Sequence, residues 1–371
     1  MRIGFDAKRA FHNYTGLGNY SRTIIRQLTG IYPENQYFLF TPSESGKFRD
    51  FPPENTTVIE PYDPVDRFFP SWWRSFRMGS DITFQQLDLY HGLSNELPRN
   101  IRKSRVKSVV TIHDLIFIRY PHLYNRIDRS IYKNKFLSAT RLAEQVIAIS
   151  EQTRSDLITF FKCDPGKIEV VYQGCNPVFY EKSTEEMKVR VRETYHLPQN
   201  YILYVGTIEE RKNLLQIIKA RYELRIDLPL VVIGRPTSYM KKIREYINEK
   251  GIMDIYFLDQ VMHTDLPPIY QMSSVFVYPS SFEGFGIPVL EALNSGVPVI
   301  AATGSCLEET GGLHSIYINP GNTEEIGNAL MNILSSSDLR EKMISEGYHY
   351  ALNFREEKTA VKLMEVYKKL I

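Results

Sequence analysis

Residues 275–302 constrain the fold more than any other stretch of this chain. They read VFVYPSSFEGFGIPVLEALNSGVPVIAA. Each end is a short apolar run rich in β-forming residues, Val275–Tyr278 and Pro298–Ala302, and such runs predict buried strands. Between them a glycine turn, Glu283–Gly286, leads into a predicted helix over Ile287–Asn294. A strand, a turn, a helix and a second strand make one βαβ unit of a parallel sheet.

The same alternation of strands and helices runs through the rest of the chain. It predicts an α/β protein with a doubly wound, Rossmann-like domain in each half, and 371 residues suit two domains. We expect a first domain over residues 1–182, a second over 183–353 and a final helix over 354–371. The other predicted strands are Arg2–Asp6, Tyr37–Thr41, Thr57–Glu60, Leu87–His91, Val109–His113, Val146–Ser150, Ile168–Tyr172, Tyr201–Val205, Leu230–Ile233, Ile255–Leu258 and Ser315–Ile318.

The glycine turn after Tyr278 carries the clearest chemical signal. Gly284 and Gly286 let the backbone approach a ligand closely, and the N–H groups at the start of the following helix favour an anion. Two carboxylates, Glu283 and Glu291, flank this anion site, and ionised carboxylates accept hydrogen bonds from hydroxyl groups. Phosphate together with hydroxyls describes a nucleotide-sugar. The alternative is an ordinary βα turn with two solvated glutamates.

The whole stretch from Pro279 to Ala301 resembles the Glu-x7-Glu signature of the family-4 glycosyltransferases, which are retaining enzymes with the GT-B fold. The resemblance implies that Glu283 contacts the hydroxyls of the donor sugar. Phe285 and Gly286 would offer backbone N–H groups to the sugar and the phosphate, and Glu291 would hold the ribose hydroxyls. It also implies an active site in a cleft between the two domains and a final helix that crosses back to the first domain.

An early glycine loop lies within Thr15–Tyr20 and contains Gly16 and Gly18. It is unlike a dinucleotide-binding fingerprint, because the first predicted strand ends at Asp6, ten residues before Gly16. The loop is similar to the Gly-x-Gly-x-Tyr loop that precedes the first helix in the family and lies over the donor phosphates. A purely structural turn is the alternative.

Two predicted strands of the first half end in histidine, His91 and His113. Ligands of doubly wound sheets bind at that edge, so both are candidates, although a lone histidine is more often structural. Both segments resemble the family, whose histidine contacts the donor sugar and the reacting centre, and this points to His113. Asp114 could orient the imidazole ring or contact the acceptor.

The second half opens with YILYVGTIEERKNL, in which a strand ends at Gly206. Asn213 is a candidate cap of the next helix, so Arg211 and Lys212 stand beside a helix N-terminus. Two cations at that point predict a clamp for a pyrophosphate, which would stabilise the charge of the leaving group.

The family commonly has an arginine where this chain has Thr207. A subgroup with Arg-Lys-Asn-Leu, often mannosyltransferases, is similar to this chain instead. Another strand ends at Gly234, and Arg235 after it could face the nucleotide.

Aromatic and basic residues suggest a surface role in the first half. Trp72 and Trp73 are adjacent and are followed by arginines, and neighbours on a helix cannot both point into one apolar stripe. Residues 1–182 carry 25 Lys and Arg against 19 Asp and Glu. A membrane surface, an anionic acceptor and a merely solvated face all fit this excess.

We therefore predict a retaining hexosyltransferase that uses a nucleoside-diphosphate sugar, with GDP-mannose favoured, and a glycan or lipid-linked glycan acceptor. Catalytic roles fall to His113, Asp114, Arg211, Lys212 and Glu283. We predict no cofactor, no metal and no nucleic-acid partner, and a cytoplasmic protein that could sit at the inner face of a membrane. The alternatives are a nucleotide-sugar epimerase of the same fold and a non-catalytic binding protein.

Overall fold

The computed structural model describes residues 1–44, 48 and 51–371. The chain divides into two compact units. The first comprises residues 1–173 together with 356–371, and the second comprises residues 174–355.

The first unit is built on a seven-stranded parallel sheet, in the order β3-β2-β1-β4-β5-β6-β7. Its strands are β1 (Arg2–Asp6), β2 (Gln36–Phe40), β3 (Thr56–Ile59), β4 (Leu89–Gly92), β5 (Lys107–Ile112), β6 (Gln145–Ala148) and β7 (Ile168–Val170). Its first eight helices are α1 (Lys8–His12), α2 (Gly16–Ile31), α3 (Pro64–Phe68), α4 (Pro70–Trp72), α5 (Met78–Phe84), α6 (Ile116–Arg119), α7 (Arg126–Leu142) and α8 (Glu151–Phe161).

Both faces of this sheet are buried, which explains why its strands are continuous apolar runs. Along β5, Val109 faces one core cluster with Phe5 and Ile24, while Val110 faces a second cluster with Trp73 and Phe136. Neighbouring residues of a strand point to opposite faces of the sheet, so each short apolar run contributes side chains to both core clusters.

The second unit contains a six-stranded parallel sheet, in the order β10-β9-β8-β11-β12-β13. Its strands are β8 (Ile202–Val205), β9 (Leu230–Ile233), β10 (Ile255–Leu258), β11 (Val275–Tyr278), β12 (Val299–Ala302) and β13 (Ile316–Ile318). Its helices are α9 (Glu185–Tyr195), α10 (Leu214–Glu223), α11 (Met240–Lys250), α12 (Leu266–Gln271), α13 (Ile287–Asn294), α14 (Leu307–Gly311), α15 (Thr323–Ser335) and α16 (Ser337–Ala351).

The last helix, α17 (Glu356–Leu370), belongs to the first unit. It packs on α2 and buries Leu363, Met364 and Tyr367 in the core that contains Phe5. The expectation that the final helix returns to the first half of the chain is confirmed.

Each sheet has a point where the strand order reverses direction. In the first unit it lies between β1 and β4, and in the second it lies between β8 and β11. Doubly wound proteins bind their ligands outside the carboxyl ends of the strands at such a point. In the second unit, Gly206 follows β8 and Glu283 follows β11, so both lie at this point.

The segment that contains Trp72 and Trp73 is not one continuous α-helix. A π-helical turn, Trp73–Arg77, separates α4 from α5. Trp73 is fully buried and its indole N–H donates to Asp81 at 2.6 Å, whereas Trp72 is 53% exposed. One tryptophan is therefore buried and the other exposed, as predicted for two adjacent residues of a helix. In the part of the chain described, no helix has the length and apolar character to cross a bilayer.

Candidate active site

The side chain of Glu283 lies beyond the end of β11 and is held through one of its two carboxylate oxygens. Oε1 accepts hydrogen bonds from the hydroxyls of Tyr278, at 2.9 Å, and Ser280, at 2.7 Å. The same oxygen lies 2.9 Å from Arg211 and 3.6 Å from Lys212. Every hydrogen bond and ion pair of this carboxylate within the described residues uses Oε1, so Oε2 keeps its capacity to accept hydrogen bonds.

These contacts decide the charge of Glu283. Burial opposes ionisation, but the Lys212 and Arg211 cations outweigh it and lower the pKa of the carboxyl to about 2, with help from the two hydroxyls. Glu283 is therefore an anion at any physiological pH.

Arg211 acts as a brace for the loop that carries Glu283. One guanidinium nitrogen, Nη1, contacts Glu283, Ser280 and the carbonyl of Phe282, and the other, Nη2, pairs with Glu209 at 2.6 Å. Burial alone would lower the pKa of Arg211, but the carboxylates of Glu283 and Glu209 raise it above its usual range. Without a ligand, this arginine already has anionic partners.

Lys212 makes fewer polar contacts than Arg211 does. Its ammonium donates one hydrogen bond to the hydroxyl of Tyr278, at 2.9 Å, and its 3.6 Å contact with Glu283 is an ion pair longer than a hydrogen bond. An ammonium has three donors, so two remain for a ligand. Gly206 makes room for this side chain, because a Cβ there would lie 3.3 Å from the Lys212 nitrogen.

Asn213 does not cap α10, so that prediction is wrong. The residue has a left-handed conformation, with φ of 53°, and makes no side-chain bond to the helix. Its amide instead donates to the carbonyl of Pro279 and the hydroxyl of Ser281, at 2.9 and 2.7 Å. It ties the turn after β8 to the turn after β11.

Gly234 lies at the end of β9, directly against the turn that follows β8. A Cβ at Gly234 would lie 1.8 Å from the carbonyl oxygen of Gly206, so only glycine fits without moving backbone. The two glycines bring adjacent turns together at one sheet edge. Arg235 follows with an exposed side chain for which the described residues provide no ion-pair partner.

The glycine turn itself is fixed by close packing and by hydrogen bonds to its backbone. Gly286 has φ of 118°, and a Cβ there would strike Leu307 at 2.6 Å. The carbonyl of Phe285, after Gly284, accepts hydrogen bonds from Thr310 and Cys306, which anchors the turn. The first N–H groups of α13 have no intrahelical acceptors, and no side chain in the described part of the chain caps them, so this helix start favours an anion.

Glu291 lies on α13 in an environment opposite to that of Glu283. Its only described partner is the hydroxyl of Tyr270, which donates to Oε2 at 2.9 Å. Burial raises the pKa of Glu291 to about 7, and this one hydrogen bond compensates only partly. A substantial protonated fraction is therefore expected at neutral pH, whereas the motif alone suggested two ionised carboxylates.

In the first unit, Gly16 and Gly18 form the first turn of α2 rather than a loop before it. The expectation of a loop is wrong, because α2 already begins at Gly16, directly after Thr15 at the N-cap position, and Asn13 binds the N–H groups of its first turn. The side-chain oxygen of Asn13 accepts hydrogen bonds from the N–H of Thr15, at 2.8 Å, and of Gly18, at 3.3 Å. A Cβ at Gly18 would lie 1.9 Å from the Asn13 carbonyl, whereas one at Gly16 would meet no described atom within 4 Å.

His113 follows β5 and is nearly buried. Its Nε2 lies 2.9 Å from the carbonyl of Leu93, which only accepts, so Nε2 carries the proton and Nδ1 is the acceptor of the neutral ring. Burial lowers the pKa of His113 to about 4. The carbonyl of Leu93 therefore orients the ring, while Asp114 accepts from the N–H of Ile116 at 3.0 Å.

His91 is a structural residue of the core. Its two ring nitrogens bond to the hydroxyls of Tyr367, at 2.5 Å, and Thr111, at 2.8 Å. The ring is fully buried, and burial lowers its pKa to about 3.

Sequence reasoning missed the residues that hold the two glutamates. They are Tyr278 and Ser280 at Glu283, Tyr270 at Glu291, and Glu209 at Arg211. Ser280 could have been found, because it lies three residues before Glu283 in the same turn. Tyr270 could not, because it comes from a separate helix with no motif of its own.

Comparisons with known proteins identify the family. A model described as Glycosyltransferase Family 4 matches residues 14–179, and a model described as Glycosyl transferases group 1 matches residues 188–350. The chain is 27% identical to O-antigen chain mannosyltransferase B of Escherichia coli, over 100% of both chains. It is 25% identical to O-antigen chain mannosyltransferase RfbU of Salmonella typhimurium, over 75% of this chain and 73% of that one.

Solved structures give the same fold. Sucrose-phosphate synthase from Thermosynechococcus elongatus matches with a TM-score of 0.80 at 19% identity, covering 100% of this chain and 99% of that chain. HepE of Anabaena in complex with UDP and glucose matches with a TM-score of 0.76 at 17% identity, covering 100% of both. The two sheets and these matches define a GT-B glycosyltransferase with two Rossmann-like domains. The chain belongs to the family-4 glycosyltransferases and is a hexosyltransferase.

Proposed function

We propose that this enzyme transfers a mannosyl group from GDP-mannose to a hydroxyl of a glycan or lipid-linked glycan, with retention of anomeric configuration. The observation that carries the proposal is the state of Glu283. This carboxylate is permanently charged, fixed through Oε1, and open at Oε2 beside Lys212 and an uncapped helix start. That combination suits a ligand with hydroxyls next to phosphate.

Different parts of the donor contact different groups of the site, with its hydroxyls at carboxylates and its phosphates at backbone N–H groups and cations. Oε2 of Glu283 accepts from hydroxyls of the sugar, and the backbone at Gly284, Phe285 and Gly286 faces the sugar and the phosphates. Glu291 accepts from the ribose hydroxyls. Because sugar and ribose lie on opposite sides of the diphosphate, two carboxylates on either side of one anion site fit this ligand.

The negative charge of the departing diphosphate is best stabilised by a cation whose N–H groups are still free to donate hydrogen bonds. The four charged groups of the cluster, Arg211, Lys212, Glu209 and Glu283, sum to zero without a ligand. Lys212 keeps two donors, and Arg235 adds an exposed cation at the same sheet edge. Lys212 therefore stabilises the leaving group directly, and Arg211 does so chiefly by holding Glu283 in place.

His113 supplies a neutral acceptor in the first unit. With Nε2 engaged by Leu93, Nδ1 accepts a hydrogen bond from a sugar hydroxyl without bringing a positive charge. Asp114 and the helix start at Gly16 and Gly18 lie at the carboxyl edge of the same sheet. We assign His113 to the reacting sugar, Gly16 and Gly18 to the donor phosphates, and Asp114 to the acceptor.

The choice of mannose rests on the Arg-Lys-Asn-Leu segment and on the O-antigen mannosyltransferases among the relatives. The HepE structure with UDP and glucose supports a nucleoside diphosphate as the carrier but favours a different base. Retention is inferred from family membership. The donor base is therefore the first property to measure.

Thermal shift of the intact protein against GDP, UDP, GDP-mannose and UDP-glucose tests the proposal. We expect selective stabilisation by GDP and GDP-mannose, lost in Lys212→Ala and Glu291→Ala. Lys241→Ala serves as the control, because that lysine is 85% exposed on α11 of the same unit. Stabilisation by UDP alone would overturn the donor, and no stabilisation by any nucleotide would overturn the site. Proton NMR of the product linkage tests retention.

A further inference from the structure

The first unit contains a cavity at the amino ends of β5, β6 and β7, with a volume of about 760 Å³. Val106 and Ser108 line it around the start of β5, Glu144 directly precedes β6, and Lys167 directly precedes β7. His113 follows the other end of β5, and the six residues of that strand, at about 3.3 Å each, separate its two ends by roughly 16 Å. The cavity is therefore distinct from the position assigned to the reacting sugar.

Four cations from three separate segments of the chain line this cavity. Arg102 and Arg105 come from the turn before β5. Arg141 lies in the last turn of α7, and Lys167 lies in the turn before β7. The four side chains thus meet from segments that are distant in sequence, unlike a run of charges along one solvated helix face.

Two carboxylates also line the cavity, and both already have partners. Glu144 pairs with Lys107 at 3.1 Å, and Lys107 is not itself part of the lining. One oxygen of Asp164 accepts a hydrogen bond from the N–H of Gly166 at 3.0 Å, in the short turn that Asp164 caps. Four cations against two carboxylates leave the lining with a net charge of +2.

The end of α7 explains two of the four cations. The last carbonyls of a helix have no intrahelical donors and attract positive charge. The ammonium of Lys167 donates to the carbonyl of Thr140 at 2.9 Å, and Nη2 of Arg102 donates to the carbonyl of Arg141 at 3.0 Å. These two side chains are therefore held in place beside the cavity by the helix end.

The other two cations have no such explanation. Arg105 and Arg141 have exposed side chains, and the described residues provide no ion-pair partner for either guanidinium. The backbone of Arg105 is left-handed, with φ of 57°, which is unfavourable for a residue with a side chain and is typical of functional positions. Burial lowers the pKa of Lys167, and the Arg102 cation adds to this effect, so the positive charge around the cavity is not fully compensated.

We propose that this cavity is a second ligand site, which binds a small soluble phosphate ester through Arg105 and Arg141. A planar guanidinium group binds phosphate oxygens in pairs, and two such groups without ion-pair partners can do so without breaking an existing ion pair. The cavity volume falls within the roughly 300–1,000 Å³ of sites for small molecules. The proposal does not depend on the identity of the sugar donor.

A soluble ligand suits this site better than a lipid surface does. Protein surfaces that lie on a bilayer combine cations with exposed apolar side chains. Here the apolar lining residues Ile101, Val106 and Ala143 are buried at the floor of the cavity and cannot reach into a bilayer. A concave site with cations at its rim and an apolar floor accommodates the phosphate of an ester together with its uncharged part.

Isothermal titration of the intact protein with inorganic phosphate, pyrophosphate and tripolyphosphate tests the proposal. The titrations are made on the Lys212→Ala protein, because this substitution removes a phosphate contact of the proposed donor site. We expect saturable binding of at least tripolyphosphate, and weaker binding of the probes that carry less charge, because each added charge strengthens the attraction to the cations.

Two substitutions and a control localise the binding. Arg105→Asn suits the left-handed backbone and removes one cation, and Arg141→Ala removes the other. Together they should weaken tripolyphosphate binding at least tenfold. Arg126→Ala is the matched control, because this exposed arginine begins α7, removes the same charge and does not line the cavity. Should the double variant lose structure by circular dichroism, Arg141→Ala alone decides the question.

The outcomes separate this proposal from that of the donor site. Loss of tripolyphosphate binding in the double variant, with the GDP thermal shift unchanged when Lys212 is intact, supports the cavity. Tripolyphosphate binding without any nucleotide response would overturn the donor site and leave the cavity standing.

Two results would overturn the cavity proposal. One is the absence of saturable binding by all three probes in the Lys212→Ala protein, or binding that the double variant retains in full. The other is co-sedimentation with phosphatidylglycerol vesicles that the double variant loses, without binding of any soluble phosphate, which would assign these cations to a membrane surface instead.

Discussion

At the scale of single residues, Glu283 and Glu291 show how one motif places two carboxylates in opposite electrostatic surroundings. They are eight positions apart, one on the turn and one on α13. The turn approaches the end of β8, where Arg211 and Lys212 provide positive charge. The helix directs Glu291 towards Tyr270, which offers one hydrogen bond and no charge. Their pKa values, about 2 and about 7, follow from this difference.

Nucleotide affinity should consequently depend on pH through Glu291. Hydroxyl donors favour the ionised carboxylate, so ligand binding competes with protonation of a group whose pKa is about 7. Below that pKa the affinity should fall, approaching tenfold per pH unit, and it should level off above pH 8. Isothermal titration with GDP between pH 6 and pH 8.5 measures this.

Glu291→Gln is the matched control for that titration, because the amide keeps the size and does not titrate. Its pH dependence then reports only the ionisation of the nucleotide. An identical pH profile in the wild-type protein and Glu291→Gln would show that Glu291 does not contact the ligand.

Glu283→Gln should separate catalysis from nucleotide binding. The amide cannot replace the anion that meets the sugar hydroxyls, so we expect the transfer rate to fall on the order of 100-fold. Loss of the charge also frees Lys212 from a competing anion, so GDP should bind as tightly or more tightly. Transfer assays and GDP titrations check both results.

The control for Glu283→Gln is Glu245→Gln, because Glu245 is 66% exposed on α11. It should leave both measurements unchanged. Loss of GDP affinity in Glu283→Gln that equals the loss of rate would place Glu283 against the nucleotide rather than the sugar.

These residues also show what the sequence of a site can reveal. The glutamates and the Arg211-Lys212 pair stand in recognisable motifs at the ends of predicted strands, so candidates could be named. The unequal charge of the glutamates could not, because it depends on their burial and, at Glu291, on a single hydrogen bond from Tyr270, which lies outside the motifs. The assigned roles stay predictions until the variants are measured.

At the scale of elements, the strands were the easiest part to predict. Parallel strands covered on both faces are short apolar runs, and Leu230–Ile233, Ile255–Leu258 and Val275–Tyr278 have the predicted bounds. Short elements held by contacts distant in sequence were missed. Helix α1 and the π-helical turn at Trp73 have no periodicity, and the turn conformation of Asn213 depends on bonds to Pro279 and Ser281.

The start of α2 allows a comparison of two glycines in one helical turn. Gly18→Ala should destabilise the first unit by on the order of 1–3 kcal/mol, because its Cβ would overlap the Asn13 carbonyl at 1.9 Å. Gly16→Ala should be neutral or stabilising by up to about 1 kcal/mol, because no atom of the described residues lies within 4 Å of its Cβ. Urea unfolding followed by circular dichroism measures both variants. Equal effects would mean that the turn adjusts freely, and that Gly18 is not required by packing.

At the scale of the whole molecule, the path of the chain makes the two units unequal. The second unit is continuous from Gly174 to Arg355, whereas the first is completed only by α17 at the end of the chain. Leu363, Met364, Val366 and Tyr367 of this helix are almost fully buried, and the hydroxyl of Tyr367 bonds to buried His91. At about 1.5–3 kcal/mol for each buried side chain, these four contribute about 6–12 kcal/mol. That is comparable with the entire stability of a typical domain, about 5–15 kcal/mol.

Separated fragments should therefore behave differently. Residues 174–355 contain β8–β13, Lys212, Glu283 and Glu291, so this fragment should fold alone and retain the thermal shift with GDP. Residues 1–173 lack α17 and expose the core around Phe5 and Leu28, so they should not fold cooperatively. Adding a peptide of residues 356–371 should restore structure to that fragment, whereas a peptide with Leu363→Asp and Met364→Asp should not. Circular dichroism and proteolysis measure the response. Cooperative folding of residues 1–173 alone would show that the returning helix is an addition to a complete core rather than part of it.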